Sequence, residues 1–403
     1  MSNFAFGTYR ISDLNPQHIE ALKAAISSNI KMIDTSSNYM DGGAERAIAL
    51  AMRSFDDETR SGVEIVSKFG YIQNSNLALH KEEPFDEVVE YSDDCFHSIS
   101  KSFIDHQLTN TLKRLEMSTL GCYLIHNPEY YLLDAINRGI DKDERLDEMY
   151  RRITEAFVAL ELEIKSGRIL SYGISSNSFA KEINAIDFLP YEDMITLAQN
   201  AAEEVGYKEH SFTTIELPIN MLETDGLKCA SWAKENGLRV LANRPLNASE
   251  GELMYRLADY DESVDYYHHF NELFESCDNE ELKPLHVLLG QLDDNKHKFG
   301  WIGDYDSFLY SQIIPHIKKS LEELDEESLA TIFTSIDIFL QEYRKMVLFE
   351  CSKSTRVALK EKISGCEFSL QECALRFLMQ SQSIDFILVG MRKPLYVHEI
   401  LAI

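Results

Sequence analysis

Four side chains in this sequence have types and placements that suit proton transfer to a carbonyl. Asp34 ends the apolar run Lys31-Met32-Ile33, and Tyr39 follows five residues later. Lys68 ends Val63-Glu64-Ile65-Val66-Ser67, and His126 ends Leu120-Gly121-Cys122-Tyr123-Leu124-Ile125. A phenol with its ordinary pKa near 10 exchanges protons poorly at neutral pH. A neighbouring ammonium lowers that value, a carboxylate keeps the ammonium charged and fixed, and a neutral imidazole can donate a hydrogen bond to a carbonyl oxygen. The set amounts to a proton donor aimed at a polarised carbonyl and lacking a hydride. Taken singly, Asp34 and Lys68 could form a structural ion pair and His126 could be a packed ring.

The elements that must position these groups are strands. Phe4–Gly7, 31–34, 63–68, 120–125, 169–174, 212–217, 238–242 and 384–389 read as eight short apolar strands separated by amphipathic helical segments. Asn15-Pro16 supplies a helix start, and Gly167 and Gly237 supply helix stops. Strict strand–helix alternation implies parallel strands covered by helices, and eight units predict an α/β fold, a closed (β/α)8 TIM barrel over 1–403. In such a barrel the C-terminal strand ends carry the chemistry, which is where Asp34, Lys68 and His126 fall. A doubly wound nucleotide-binding sheet is the competing architecture, but Gly7-Thr8-Tyr9 contains no GxGxxG. Two insertions interrupt the pattern. Residues 71–102 read as a long polar loop or lid after the third strand. Residues 249–361 read as acidic amphipathic helices after the seventh, and both are expected to form or cover the substrate side.

Composition narrows the class. The 403 residues hold 39 Lys plus Arg against 67 Asp plus Glu, a formal charge of −28, which speaks against nucleic acid or an anionic membrane as partner. Seven cysteines show no CxxC spacing, so neither a zinc ribbon nor a disulfide framework is expected and a reducing cytoplasm fits. No secretory signal or membrane-spanning run is expected either.

The motifs Phe6-Gly7-Thr8-Tyr9, Ile33-Asp34-Thr35-Ser36-Ser37-Asn38-Tyr39, Ser67-Lys68-Phe69-Gly70, Leu124-Ile125-His126-Asn127-Pro128 and Tyr172-Gly173-Ile174-Ser175-Ser176-Asn177 resemble those of the aldo-keto reductase family, in that family's order. The resemblance implies a reduced nicotinamide cofactor, usually NADPH, lying across the barrel mouth, and a small-molecule aldehyde or ketone as substrate. It implies Tyr39 as acid/base, Lys68 and Asp34 as the groups that tune it, and His126 as the group that positions the carbonyl. Ser176 and Asn177 match residues that hold the nicotinamide carboxamide, while Gly7 and Thr8 match backbone near the cofactor. After the eighth strand Arg392 and Lys393 match the grip on the adenosine phosphate and Glu399 an adenine contact.

The chain departs from the family at the sixth and seventh strand ends. Glu216 stands where Gln is common, and a carboxylate cannot donate to a carboxamide oxygen unless protonated. Asn243, followed by Arg244, stands where many members place a stacking tyrosine, and Ile400 where Asn is frequent. These departures motivate a second reading, a dinucleotide-binding regulatory or redox-sensing barrel with little turnover. A metal-dependent hydrolase would require a His-x-His after the first strand, which is missing. Asp261, Asp265, His268 and His269 fall at helical spacings that could present metal ligands on one face. In so acidic a chain they read as solvated side chains, and no metal is expected.

Overall fold

The computed structural model describes residues 3–403 except 252, 323 and 325. Eight parallel strands close into a barrel: β1 (Phe4–Gly7), β2 (Met32–Asp34), β3 (Glu64–Phe69), β4 (Cys122–His126), β5 (Tyr172–Ser175), β6 (Phe212–Pro218), β7 (Arg239–Asn243) and β8 (Phe386–Val389). They pair in sequence order, and β8 closes the ring against β1 through Phe4↔Ile387 and Phe6↔Val389. This is the (β/α)8 barrel that the alternation predicts, with several strands shifted one residue toward their C-terminal ends.

Side chains alternate across a strand, so residues two apart share a face. The inner face therefore reads Met32 then Asp34, Val66 then Lys68, Leu124 then His126, Gly173 then Ser175, Thr214 then Glu216, and Leu241 then Asn243. Ala5, Met32, Val66, Cys122, Leu124, Leu241 and Leu388 form the apolar plug. Beneath it Arg239 reaches across to Glu64 with paired bonds of 2.6 and 2.9 Å. Above it lies the polar layer.

A bulge sets which way β6 faces. The register runs Tyr172↔Phe212 and then Gly173↔Thr214, so Thr213 is an extra residue. Phe212 packs outward with Phe157 and Tyr172. The extra residue turns Thr214 and Glu216 inward. Gly173 permits this approach, because a Cβ there would sit 1.9 Å from the Thr214 carbonyl oxygen.

Residues 71–102 are not the loop that their composition predicts. Tyr71–Ile72, Val89–Ser92 and Cys95–His97 make a three-stranded antiparallel sheet, and Asn74–Glu82 is a helix. Strands of two to four residues with exposed polar positions leave too little periodicity to read.

The chain divides into two compact units, Met1–Pro245 with Arg376–Ile403, and Leu246–Leu375. The second has its own core of Tyr266, Leu273, Leu289, Tyr305, Phe339 and Tyr343, gathered from helices that include Tyr266–Ser276, Lys283–Asn295 and Glu326–Ala358. It also opens with a hairpin, Asn247–Glu250 against Leu253–Arg256.

Two further expectations are corrected here. Cys366 and Cys373 form a disulfide with Cα atoms 6.2 Å apart, the other five cysteines being buried thiols. Seven-residue spacing gives no sequence signal, and a turn through Gly365, at φ +83°, precedes the first partner. Asp261 precedes the helix Tyr266–Ser276 and Asp265 is its N-cap, so the four supposed ligands share no helical face. The groups that approach one another are His268, His269 and Glu272. Among the described residues, no helix is long and apolar enough to cross a membrane.

Candidate active site

Six successive strands deliver Asp34, Lys68, His126, Ser175, Glu216 and Asn243 to one end of the barrel. The chain beyond β2 is fixed by both neighbours. Thr8 donates to the Asp34 carbonyl oxygen from its backbone N–H (3.0 Å) and its hydroxyl (2.8 Å), and Thr35 N–H donates to Val66 O at 2.8 Å. The turn that follows returns Tyr39 over the barrel.

The Lys68 ammonium, fully buried, donates to Asp34 Oδ1 and to Thr35 O at 3.1 Å. Burial works against its charge, but the Asp34 and Glu216 carboxyls hold its pKa above the ordinary lysine value. Lys68 Nζ lies 5.4 Å from the centre of the Tyr39 ring. That ring is flanked edge-to-face by Tyr9 at 5.2 Å and His126 at 6.0 Å. The sequence predicts that the ammonium lowers the phenol's pKa. The net shift is upward instead, because burial penalises the phenolate more than Lys68 stabilises it. Tyr39 is thus a protonated phenol.

The His126 ring is neutral, its pKa driven well below 6.5 by burial and by the charge on Lys68. Its Nδ1 lies 3.1 Å from Ser36 Oγ, which donates to Asn38 Oδ1 at 2.6 Å, and Asn38 Nδ2 donates to Gln73 Oε1 at 3.2 Å. Ser36 has a single proton; given to Asn38, it leaves Ser36 to accept from Nδ1. Turning both amides over reverses the chain on the same heavy atoms and places the imidazole proton on Nε2.

The model of the Aldo/keto reductase family matches residues 3–286, 284 of the 403. The chain belongs to the aldo/keto reductase family. The match stops inside the second unit, so β8 lies beyond it. No curated protein matches the sequence. Similar solved structures include an aldo/keto reductase from Klebsiella pneumoniae in complex with NADP and acetate (21% identity, 61% of this chain, 65% of that one, TM-score 0.39). A second from Klebsiella pneumoniae, in complex with NADPH, is 22% identical over 61% of this chain and 64% of that one, with a TM-score of 0.38. An aldo-keto reductase from Bacillus halodurans in its holo form is 19% identical over 72% of this chain and 77% of that one, with a TM-score of 0.39. The chain therefore spans less than two thirds of the two Klebsiella structures.

In this member of the family the remaining candidates divide into two groups. Ser176 and Asn177 follow β5 and are tied to Glu129, which the sequence reading missed: Ser176 Oγ donates to Oε2 and Asn177 N–H to Oε1, both at 2.8 Å. Burial raises the Glu129 pKa against these bonds. Asn177 Nδ2 reaches Asn127 Oδ1 at 3.3 Å, and Asn127 Nδ2 donates to the Tyr71 hydroxyl at 2.6 Å. Beside them Tyr91, Glu129, Tyr130, Leu133, Asn177 and Lys181 line a cavity of about 160 Å³, so the 71–102 segment contributes directly to this wall. Tyr71 packs edge-on against His126 at 4.8 Å.

Glu216 faces Lys68 from the other side, with Asn243 beside it. Glu216 Oε1 accepts from Ser175 Oγ at 3.0 Å and Asn243 Nδ2 at 2.9 Å. Oε2 lies 3.2 Å from Lys68 Nζ, close enough for ion pairing but without hydrogen-bond alignment. Asn243 Oδ1 is also buried without a hydrogen-bond partner among the described residues. Gly7 ends β1 beside Asp34. Arg244, at φ +52°, is exposed, as are Arg392, Lys393 and Glu399 around the helix Pro394–Leu401. They are grouped by position near β7 and β8.

Proposed function

We propose that this protein reduces an aldehyde or ketone of a small molecule to the alcohol, with NADPH as cofactor and Tyr39 as proton donor. The observation that carries the reading is the buried Lys68–Asp34 pair beneath a protonated Tyr39, with a neutral His126 across from it.

The donor set suits a nicotinamide carboxamide, which offers an NH2 and a carbonyl oxygen. Asn243 Oδ1 is a buried acceptor without a hydrogen-bond partner among the described residues, and Asn177 Nδ2 has a bond of 3.3 Å to Asn127. Asn243, Ser176 and Asn177 would hold that end, with Glu216 bracing Asn243 from behind, Gly7 and Thr8 near the cofactor, Arg244, Arg392 and Lys393 toward the adenosine phosphate and Glu399 toward the adenine. The bound cofactor supplies the hydride that the carbonyl carbon takes up. Tyr39 gives its proton to the carbonyl oxygen, and Lys68 stabilises the phenolate left behind. With the Asn38 and Gln73 amides turned over, the His126 proton sits on Nε2, where it donates to the same oxygen and orients it. Tyr39 regains its proton from solvent.

The Tyr39→Phe variant tests the reading. It removes the donated proton and leaves the ring packing, so kcat/KM across an aldehyde panel is expected to fall by about 100-fold or more. Reduction that survives the substitution sinks the assignment. The Klebsiella pneumoniae relatives were solved with NADP and NADPH, which supports the choice of dinucleotide as a probe.

A further inference from the structure

Two carboxyl groups flank the Lys68 ammonium, and that arrangement is not accounted for by the proton-donor role of Tyr39. Asp34 approaches Nζ from β2, and Glu216 approaches it at 3.2 Å from β6. Lys68 is fully buried, and the side chains of Asp34 and Glu216 are 5% and 2% exposed. The Glu216 carboxyl is held in place because Ser175 and Asn243 both donate to Oε1, which leaves Oε2 turned to the ammonium. The bulge on β6 is what aims it there.

The other ionisable groups around the trio carry no compensating charge. His126 on β4 is neutral, Tyr39 is a protonated phenol, and Tyr9 stands edge-on beyond it. Ser175 on β5, Asn243 on β7 and Thr8 beyond β1 are uncharged. Two carboxylates and one ammonium would leave a net negative charge in a dry pocket, where like charges oppose each other strongly. We propose that Glu216 is a positioning residue, a second counter-ion to Lys68 that shares one proton with Asp34 at neutral pH, so that either carboxyl alone can hold the ammonium in place. The upward shift of the Asp34 carboxyl, caused by burial and then by Glu216, agrees with this arrangement. A glutamine at this position would be neutral and would leave Asp34 as the sole counter-ion.

The shared proton also bears on Tyr39. Both carboxyls raise the phenol's pKa while Lys68 lowers it, so a proton held between them limits the negative charge that the phenol meets. In this respect the inference rests on the carbonyl-reduction reading; the proton itself does not.

The experiment uses the full chain and two readouts. Infrared spectra at neutral pH are recorded for the wild type, Glu216→Gln and Asp34→Asn. The wild type should show the C=O stretch of a buried protonated carboxyl, and both variants should lose it, because the remaining acid then ionises against Lys68. In parallel, kcat/KM should fall by less than about tenfold in each single variant and by more than about a thousandfold in Asp34→Asn/Glu216→Gln. A wild type without the band, a band that persists in Glu216→Gln, or an Asp34→Asn loss equal to that of the double variant overturns the proposal. If the double variant does not fold, the spectra of the single variants decide. A wild type that shows the band but reduces no carbonyl overturns carbonyl reduction and leaves the shared proton standing.

Discussion

The ring of His97 rests on the backbone of His126: its Nε2 lies 2.7 Å from the His126 carbonyl oxygen. The contact passes over Gly70, where φ is +144° and a Cβ would sit 2.5 Å from His97 Nε2 and 2.7 Å from His126 O. His97 belongs to the small sheet after β3, so this bond ties that sheet to the strand end that carries His126. Gly70→Ala is expected to lower unfolding stability by more than about 2 kcal/mol, from backbone strain and the displaced ring together. Urea unfolding measures it, and an unchanged midpoint would show that the contact can relax without loss.

His97 also sets a pH dependence. Burial is the main reason its pKa falls to about 4 from 6.5, so it stays neutral in the fold while the unfolded chain binds a proton between those values. A depressed histidine contributes stability that is present above about pH 6.5 and lost as pH falls toward 4. The shift is worth about 3 kcal/mol, and His126, lowered in the same direction, adds to it. The free energy of unfolding measured from pH 7 to pH 4 should fall, and the slope should be shallower in His97→Asn. Equal slopes in the two proteins would dismiss His97 as a source.

The chain from Gln73 through Asn38 and Ser36 to His126 predicts a distinct effect for Asn38→Asp. A carboxylate only accepts, so Ser36 must donate to it and Nδ1 must keep the imidazole proton. Nε2 then presents a lone pair to the substrate oxygen. Carbonyl reduction is expected to lose about 10- to 100-fold in kcat with little change in stability. Steady-state kinetics with a thermal melt checks both parts; a fall in stability without a fall in kcat would count against the relay.

Glu129→Gln addresses the other wall. A glutamine can still accept from Asn177 N–H, but its NH2 then donates to Ser176 Oγ, whose own proton loses its acceptor and must turn elsewhere. Ser176 and Asn177 should then be less well placed, and the dissociation constant for NADPH should rise by about tenfold while kcat at saturation holds. Fluorescence titration of the dinucleotide reads this directly, and unaltered binding would assign Glu129 a purely structural part.

Much of the barrel is legible in the sequence because its strands are short runs rich in apolar residues, set between amphipathic helical segments. Asp34, Lys68 and His126 stand out because an ionisable group at or near the end of such a run must find a partner. Other features leave no such trace. Glu129 sits in a turn of a chain rich in acids, where one more glutamate says nothing about its two bonds. The inward aim of Glu216 depends on the extra residue at Thr213, and a bulge shifts side-chain parity without changing composition. The net rise in the Tyr39 pKa follows from how deeply the phenol is covered, which the spacing of Asp34 and Tyr39 does not encode. The disulfide between Cys366 and Cys373 depends on a turn that brings together cysteines seven apart.

Placing the Leu246–Leu375 unit between β7 and β8 also shapes how the barrel is made. β7 ends at Asn243 and β8 begins at Phe386, so 142 residues emerge from the ribosome between two neighbouring strands. At roughly 5 to 20 residues per second, the seven earlier strands wait about 7 to 30 s for the last. Throughout that interval β1 and β7 expose unpaired edges, and the ring can close only by joining residues more than 380 positions apart, Phe4 and Ile387 among them. Nascent chains of this protein are therefore most open to edge-to-edge association while the 246–375 segment is being synthesised.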